Sequence, residues 1–260
     1  MSETKDPFQV NRLDCKLSDI ATSASVLTRL PMKAHWVDPT RLATSAWAYP
    51  LIGALIGLVA GSFLTILLWL GISSGVSAGC AIGIMILITG GLHEDGIADC
   101  ADGLGGGTNK VHALEIMKDS RLGAYGALIL MLFLIIRWSA LNDLSVLQPI
   151  AVLGVVGAVS RLPMVLVMTG MDNARDDGFS KHVGRPQTTQ AMVAVGLTLM
   201  ISIIFLGFPG LLFLPLVVLS CLPIVYIASK KIGGQTGDVL GGIQQCAEVA
   251  ALGLLTAFLI

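Results

Sequence analysis

The sequence predicts an all-α protein: a polytopic membrane helical bundle of about seven transmembrane helices, preceded by an N-terminal amphipathic interfacial helix. Three observations carry that prediction. Of 260 residues, 54% are hydrophobic and 13% charged, about half the charged fraction of an ordinary soluble domain, and the mean hydropathy is +0.81. The apolar residues gather into runs near the ~20 residues needed to cross a bilayer as a helix. Lys and Arg outside those runs fall in alternate connections, as expected for a chain threaded back and forth through a membrane.

Taken in order, residues 1–42 read as a polar N-terminus plus the interfacial helix, and residues 43–260 as an integral membrane catalytic domain. The first residues lack the apolar core of a cleaved signal. From Leu17 to Leu30, apolar residues at 17, 20, 21, 24, 27 and 30 recur at spacings of three and four, the pattern of one helix face. Two placements stay open for that face, on the bilayer surface or packed on the rest of the protein. Arg29, Lys33 and Arg41 are expected near the lipid headgroups.

The apolar runs then follow as Trp47 to Leu70, Val76 to Leu92, Gly123 to Leu141, Pro149 to Thr169, Ala191 to Gly207, Gly210 to Ser229 and Val239 to Ile260; the second and fifth are short. Lys110, Lys118 and Arg121, then Arg175, Lys181 and Arg185, then Lys230 and Lys231 lie in one set of connections. The other set, Gly71 to Gly75, Asn142 to Gln148 and Phe208 to Pro209, has no Lys or Arg. The positive-inside rule therefore puts the N-terminus and the connections 90–122, 170–190 and 230–238 on the cytoplasmic side of the cell inner membrane, and the C-terminus outside.

Charge inside an apolar run is costly and points to function or to pairing. Arg161 is expected to face the interior near a site, and Arg137 to snorkel or to form a structural ion pair. Glu248 is left two roles, contact with substrate or pairing with Arg161 or Arg137. The five cysteines are scattered without a metal-binding spacing, and read as small buried hydrophobes. A net charge of -1 with no basic patch excludes a nucleic-acid partner.

The densest chemistry lies in Gly90-Gly91-Leu92-His93-Glu94-Asp95-Gly96-Ile97-Ala98-Asp99-Cys100-Ala101-Asp102-Gly103. On a helix, Asp95, Asp99 and Asp102 share one stripe about 60° wide, with Glu94 off it. Three carboxylates so placed repel one another unless a cation sits among them, and hard oxygen ligands suit Mg²⁺ or Mn²⁺. The plainer reading is a solvated acidic loop. Lys118-Asp119-Ser120-Arg121 adds a carboxylate between cations, and Gly233-Gly234-Gln235-Thr236-Gly237-Asp238 forms a turn whose backbone amides could meet an anion. Asp119 is left two roles, metal ligand or general base. No His-carboxylate pair activates Ser120, so direct in-line transfer is favoured over a covalent intermediate.

Those residues also carry a resemblance. The Gly90 to Gly103 stretch, the run Glu115-Ile-Met-Lys-Asp-Ser-Arg-Leu-Gly123, and the later stretches Ser160-Arg-Leu-Pro163, Ala174-Arg-Asp-Asp-Gly178 and Gly233 to Gly241 resemble the cobalamin synthase family, the adenosylcobinamide-GDP ribazoletransferases. The resemblance implies a transferase that joins adenosylcobinamide-GDP to α-ribazole or its 5′-phosphate and releases GMP. It implies Mg²⁺ as cofactor, held by Asp95, Asp99 and Asp102. Lys118, Asp119 and Arg121 would be catalytic, and His93, Arg161, Arg175, Thr236 and Asp238 would bind substrate. The lipid bilayer is the other partner, and a homo-oligomer or an association with other corrinoid enzymes is left open. Two alternatives are a CDP-alcohol phosphotransferase, whose acidic motif is spaced differently, and a cation or metabolite transporter, which predicts midplane carboxylates and a repeat that the chain lacks.

Overall fold

The computed structural model describes residues 14–259. After α1 (Ser18–Leu27), three short 3₁₀ turns (Ala34–Trp36, Pro39–Arg41 and Thr44–Ala48) lead into α2 (Tyr49–Trp69). There follow α3 (Ser74–Thr89), α4 (Leu92–Gly106), α5 (Lys110–Ile116), α6 (Ala124–Leu144), α7 (Pro149–Gly170), α8 (Phe179–Val183), α9 (Thr188–Leu206), α10 (Gly210–Ser220), α11 (Leu222–Ile232) and α12 (Gly237–Leu259). Six segments of the described residues are long and apolar enough to span: Thr44–Trp69, Ala124–Leu144, Pro149–Gly170, Thr188–Leu206, Gly210–Ile232 and Gly237–Leu259. A seventh is counted only if α3 and α4, bent by 88°, form one span.

That bend revises the second apolar run. α3 has 16 residues, about 24 Å at 1.5 Å per residue and short of a ~30 Å hydrocarbon core. It stops because Gly90 and Gly91 take φ of +68° and +69°, a left-handed conformation that glycine adopts without steric cost. The chain then turns into α4, so the acidic stretch is a helix set across α3.

The centre of the bundle is α7, buried along most of its length and packed on α2. A side chain at Gly53 would strike the carbonyl oxygen of Gly157, and one at Gly57 that of Leu153. This spacing of small residues four apart is what lets two membrane helices touch backbone to backbone. In contrast, α6 turns Leu128, Met131, Leu132 and Ile135 outward, as a lipid-facing helix does.

The polar side of α1 packs on the protein. Ser23 Oγ donates to the Ser45 carbonyl at 2.7 Å, and Asp19 accepts from Arg41 Nε at 2.7 Å and Trp47 Nε1 at 2.9 Å. Arg41 is therefore buried in an ion pair and does not face the headgroups. Burial pushes the Asp19 carboxyl up, but the hydrogen bonds from Arg41, Trp47 and the Lys16 N–H outweigh it and leave the group below its ordinary value.

Candidate active site

The site is built where the first turns of α4 and α12 meet. Gly96 and Gly241 make the approach possible: a Cβ on Gly96 would sit 3.0 Å from both the Asp238 carbonyl oxygen and the Gly241 Cα. Asp238, on the first turn of α12, thereby lines one cavity with Asp95 of α4 and lies within the field of Asp99 one turn further along. Asp99 lies in the repulsive field of Asp95, Asp238 and Asp102, opposed by Arg175. A cavity of about 140 Å³ opens here, lined by His93, Asp95, Gly237, Asp238 and Ser180, with Leu27 and Tyr49 among its apolar walls. It has room for a phosphate-sized group. Two helix N-termini border it, and their free N–H groups and dipoles favour an anion, while the carboxylates favour a cation.

Residues 171–185 fold over this point and are pinned to the turn before α12. Ala174 N donates to the Gln235 carbonyl at 2.9 Å and Gln235 N to the Asp172 carbonyl at 2.8 Å. Ser180 Oγ donates to Gln235 Oε1 at 2.7 Å. The clamp sets Arg175 Nη2 3.4 Å from Asp238 Oδ2, and leaves Arg175 Nη1 buried without a partner among the described residues. Thr236 is itself buried and uses its hydroxyl on Asp238 at 3.2 Å and on the Val239 N–H at 3.2 Å. Its role is to cap α12.

The other predicted residues divide sharply. Asp102 is on the stripe but is occupied: its carboxylate accepts from Gly123 N at 2.8 Å and Gly126 N at 2.9 Å. Gly123 is the N-cap residue of α6 and Gly126 its third residue, and α6 has no side-chain cap of its own, so Asp102 ties α4 to the start of α6. Lys118, Asp119 and Arg121 lie on an exposed turn. Lys118 pairs with Asp177 at 2.6 Å, and Asp177 Oδ1 lies 3.8 Å from Arg175 Nε, which links the turn to Asp238. Asp119 is held by Arg121 at 2.5 Å, and those hydrogen bonds bring its carboxyl down to about 2. A group so acidic is a poor general base near neutral pH.

His93 and Arg161 belong to a buried polar centre that joins four helices. Arg137 of α6 pairs with Glu94 of α4 at 2.8 Å and with Glu248 of α12 at 2.7 Å. Glu248 lies 3.6 Å from Arg161 of α7, and Gln244 donates to it at 2.5 Å. Gln245 donates to Glu94 at 3.3 Å and accepts from Arg137 at 3.2 Å. Glu248 thus pairs with both arginines, and Arg137 is an ion-pair residue. His93 borders the cavity on one side and lies in the field of Arg161 and Arg137 on the other, with its Nε2 buried and unpartnered among the described residues.

Gln244, Gln245, Asn173 and Gln235 carry no mark in the sequence that points to these contacts. Glu94 carried one usable signal, its direction off the Asp stripe.

Among the described residues no three His, Cys, Asp or Glu side chains converge into a complete metal site. The donor set nevertheless fits Mg²⁺, which commonly takes one or two carboxylates and fills its remaining positions with water and substrate phosphates. Two of Asp95, Asp99 and Asp238, which lie in one another's field, would meet that demand.

Residues 19–256 match the family model described as cobalamin-5-phosphate synthase. This chain belongs to the cobalamin-5-phosphate synthase family. The match to that family runs from α1 into α12 and takes in every element of the site. Among relatives, the adenosylcobinamide-GDP ribazoletransferase of Allorhizobium ampelinum is 38% identical over 91% of this chain and 95% of its own length. The protein of that name from Sinorhizobium medicae is 39% identical, with 91% and 95% covered. The one from Shewanella piezotolerans is 37% identical, with 88% and 90% covered. No solved structure matches the chain.

Proposed function

We propose that this membrane transferase of cobalamin synthesis joins adenosylcobinamide-GDP to α-ribazole or its 5′-phosphate, giving adenosylcobalamin or its 5′-phosphate and GMP. The observation that carries the reading is a cavity between two helix N-termini that Asp95 and Asp238 line together, with Arg175 held 3.4 Å from Asp238. Relatives at 37–39% identity over nearly the whole chain are named for that reaction.

In this reading a ribose hydroxyl oxygen forms a bond to the phosphorus attached to cobinamide. The bridging P–O bond to the guanosine phosphate breaks, GMP leaves with the electron pair, and the hydroxyl proton passes to solvent. Two of Asp95, Asp99 and Asp238 would hold Mg²⁺, which when bound supplies neutralising charge for a diphosphate. The chain's own part is positioning and charge stabilisation, the main demands of phosphoryl transfer. The buried Arg175 Nη1 and the amides at the starts of α4 and α12 donate to phosphate oxygens as negative charge grows. His93, whose Nε2 has no partner among the described residues, borders the same cavity and contacts substrate there. Lys118 and Arg121 lie outside the cavity and draw anionic substrate toward it. The basic connections between spans support an orientation with this face in the cytoplasm and the protein in the cell inner membrane.

The test is purified protein with Mg²⁺, adenosylcobinamide-GDP and α-ribazole, followed by chromatography of nucleotide and corrinoid. GMP and a base-bearing corrinoid in equal amounts, absent with EDTA, are expected. Turnover of a CDP-alcohol pair in place of the corrinoid would overturn the reading, as would transport without GMP release.

A further inference from the structure

Ala24 and Leu27 of the α1 stripe are buried, but Leu17, Ile20 and Ala21 are left wholly or partly uncovered by the described residues. Leu17, Ile20, Ala21 and Ala24 run along one wall of an open groove of about 660 Å³, and Leu55 and Val59 of α2 form the facing wall. Leu55 and Val59 are half exposed and belong to a membrane-spanning segment, so the groove is continuous with the surface that α2 turns to lipid. The wall makes almost no hydrogen-bonding demand: Thr28, which lines it, already donates its hydroxyl to the Ala24 carbonyl at 2.7 Å. At the rim, the Lys33 ammonium stands 5.1 Å over the Trp36 ring, and Lys33 has no ion-pair partner among the described residues. An aromatic ring and a cation together at the end of an apolar channel are the features of a bilayer interface.

We propose that this groove holds one acyl chain of a bilayer phospholipid, with the lipid phosphate at Lys33. An apolar face of this extent is not left bare, and the hydrocarbon next to it is the membrane itself. The groove also has a bearing on the site, because Val26 and Leu27 on the other flank of α1 line the cavity that contains Asp95 and Asp238. A chain seated in the groove braces α1 from behind. The inference rests on the membrane character of the protein and not on the transferase reading.

The experiment uses the full-length protein in vesicles of phosphatidylethanolamine and phosphatidylglycerol, with a trace of phosphatidylglycerol carrying a diazirine at the end of one acyl chain. The protein is extracted, washed in detergent and then illuminated, and the labelled residues are mapped by mass spectrometry. Label is expected at Ile20, Leu55 and Val59, with washing reducing it at least tenfold less than at the outward α6 residues Leu128 and Leu132. Ala21→Trp, which fills the groove from α1, lowers the groove label at least fivefold. Val59→Trp does the same from the exposed α2 wall and serves if the first variant misfolds. Groove label lost as readily as that on α6, or unchanged in both variants, would overturn the proposal. So would occupation by residues 1–13, or displacement of the label by α-ribazole.

Discussion

Asp99 and Asp102 stand three residues apart on one helix face, yet their neighbours give them different work. Asp102 answers two N–H groups at the start of α6, and hydrogen bonds to a charged group contribute roughly 1.5–3 kcal/mol each. Asp102→Ala is therefore expected to cost about 2–4 kcal/mol of stability, read as a lowered melting temperature in detergent. Unchanged melting with turnover lost would return Asp102 to the metal set. Asp19 gives a prediction of a second kind. Its folded value lies below its ordinary value, so its stabilising contribution is complete above the unfolded value of about 3.9 and is lost as pH falls through the folded value. Between about pH 5 and pH 3 the wild-type melting temperature should fall more steeply than that of Asp19→Asn. Equal slopes would contradict that.

At the scale of elements, the decisive feature is the corner between α3 and α4. A non-glycine residue in the left-handed region costs roughly 1–2 kcal/mol, and a Cβ on Gly90 would also collide with the Arg29 side chain. Gly91→Ala should lower stability by about 1 kcal/mol, and Gly90→Ala by more, measured by thermal melting. If both are neutral, the corner does not need glycine. The sequence makes part of this legible: the Gly-Gly pair after an apolar run is a helix stop, and the Asp spacing is a helix stripe. Hydropathy alone carries the run through to Leu92, because Leu92 is itself apolar. The partnership of Asp99 with Asp238 is not legible, since it depends on the Gly96 and Gly241 contact, which brings together helices remote in sequence. The task of Asp102 is hidden for the same reason, its partners being backbone groups of another helix.

At the scale of the molecule, α4, α6, α7 and α12 are held to one another by two arginines and two glutamates whose formal charges cancel. Arg137 and Glu248 stand out in the sequence as charges within apolar runs, whereas Glu94 is masked by the acidic stretch around it. Removing one partner of a buried pair leaves an uncompensated charge and costs about 3–5 kcal/mol. Glu248→Ala, which strips both arginines of a partner, should lose that much, and Glu248→Gln, which keeps an oxygen to accept from Arg137 or Gln244, should lose less. A Glu248→Ala protein that melts within a degree of wild type would show that the four helices do not depend on these charges. The same centre holds α4 against α12, and so holds the two halves of the carboxylate group together.

If carboxylates from α4 and α12 act as one unit on a diphosphate, a double-mutant cycle on turnover reveals it. Asp99→Asn and Asp238→Asn should each lower kcat for GMP release by about 100-fold or more, and the double variant should be little worse than either alone, as for groups that work together. Near-normal turnover in either single variant, or losses that multiply in the double, would contradict the account.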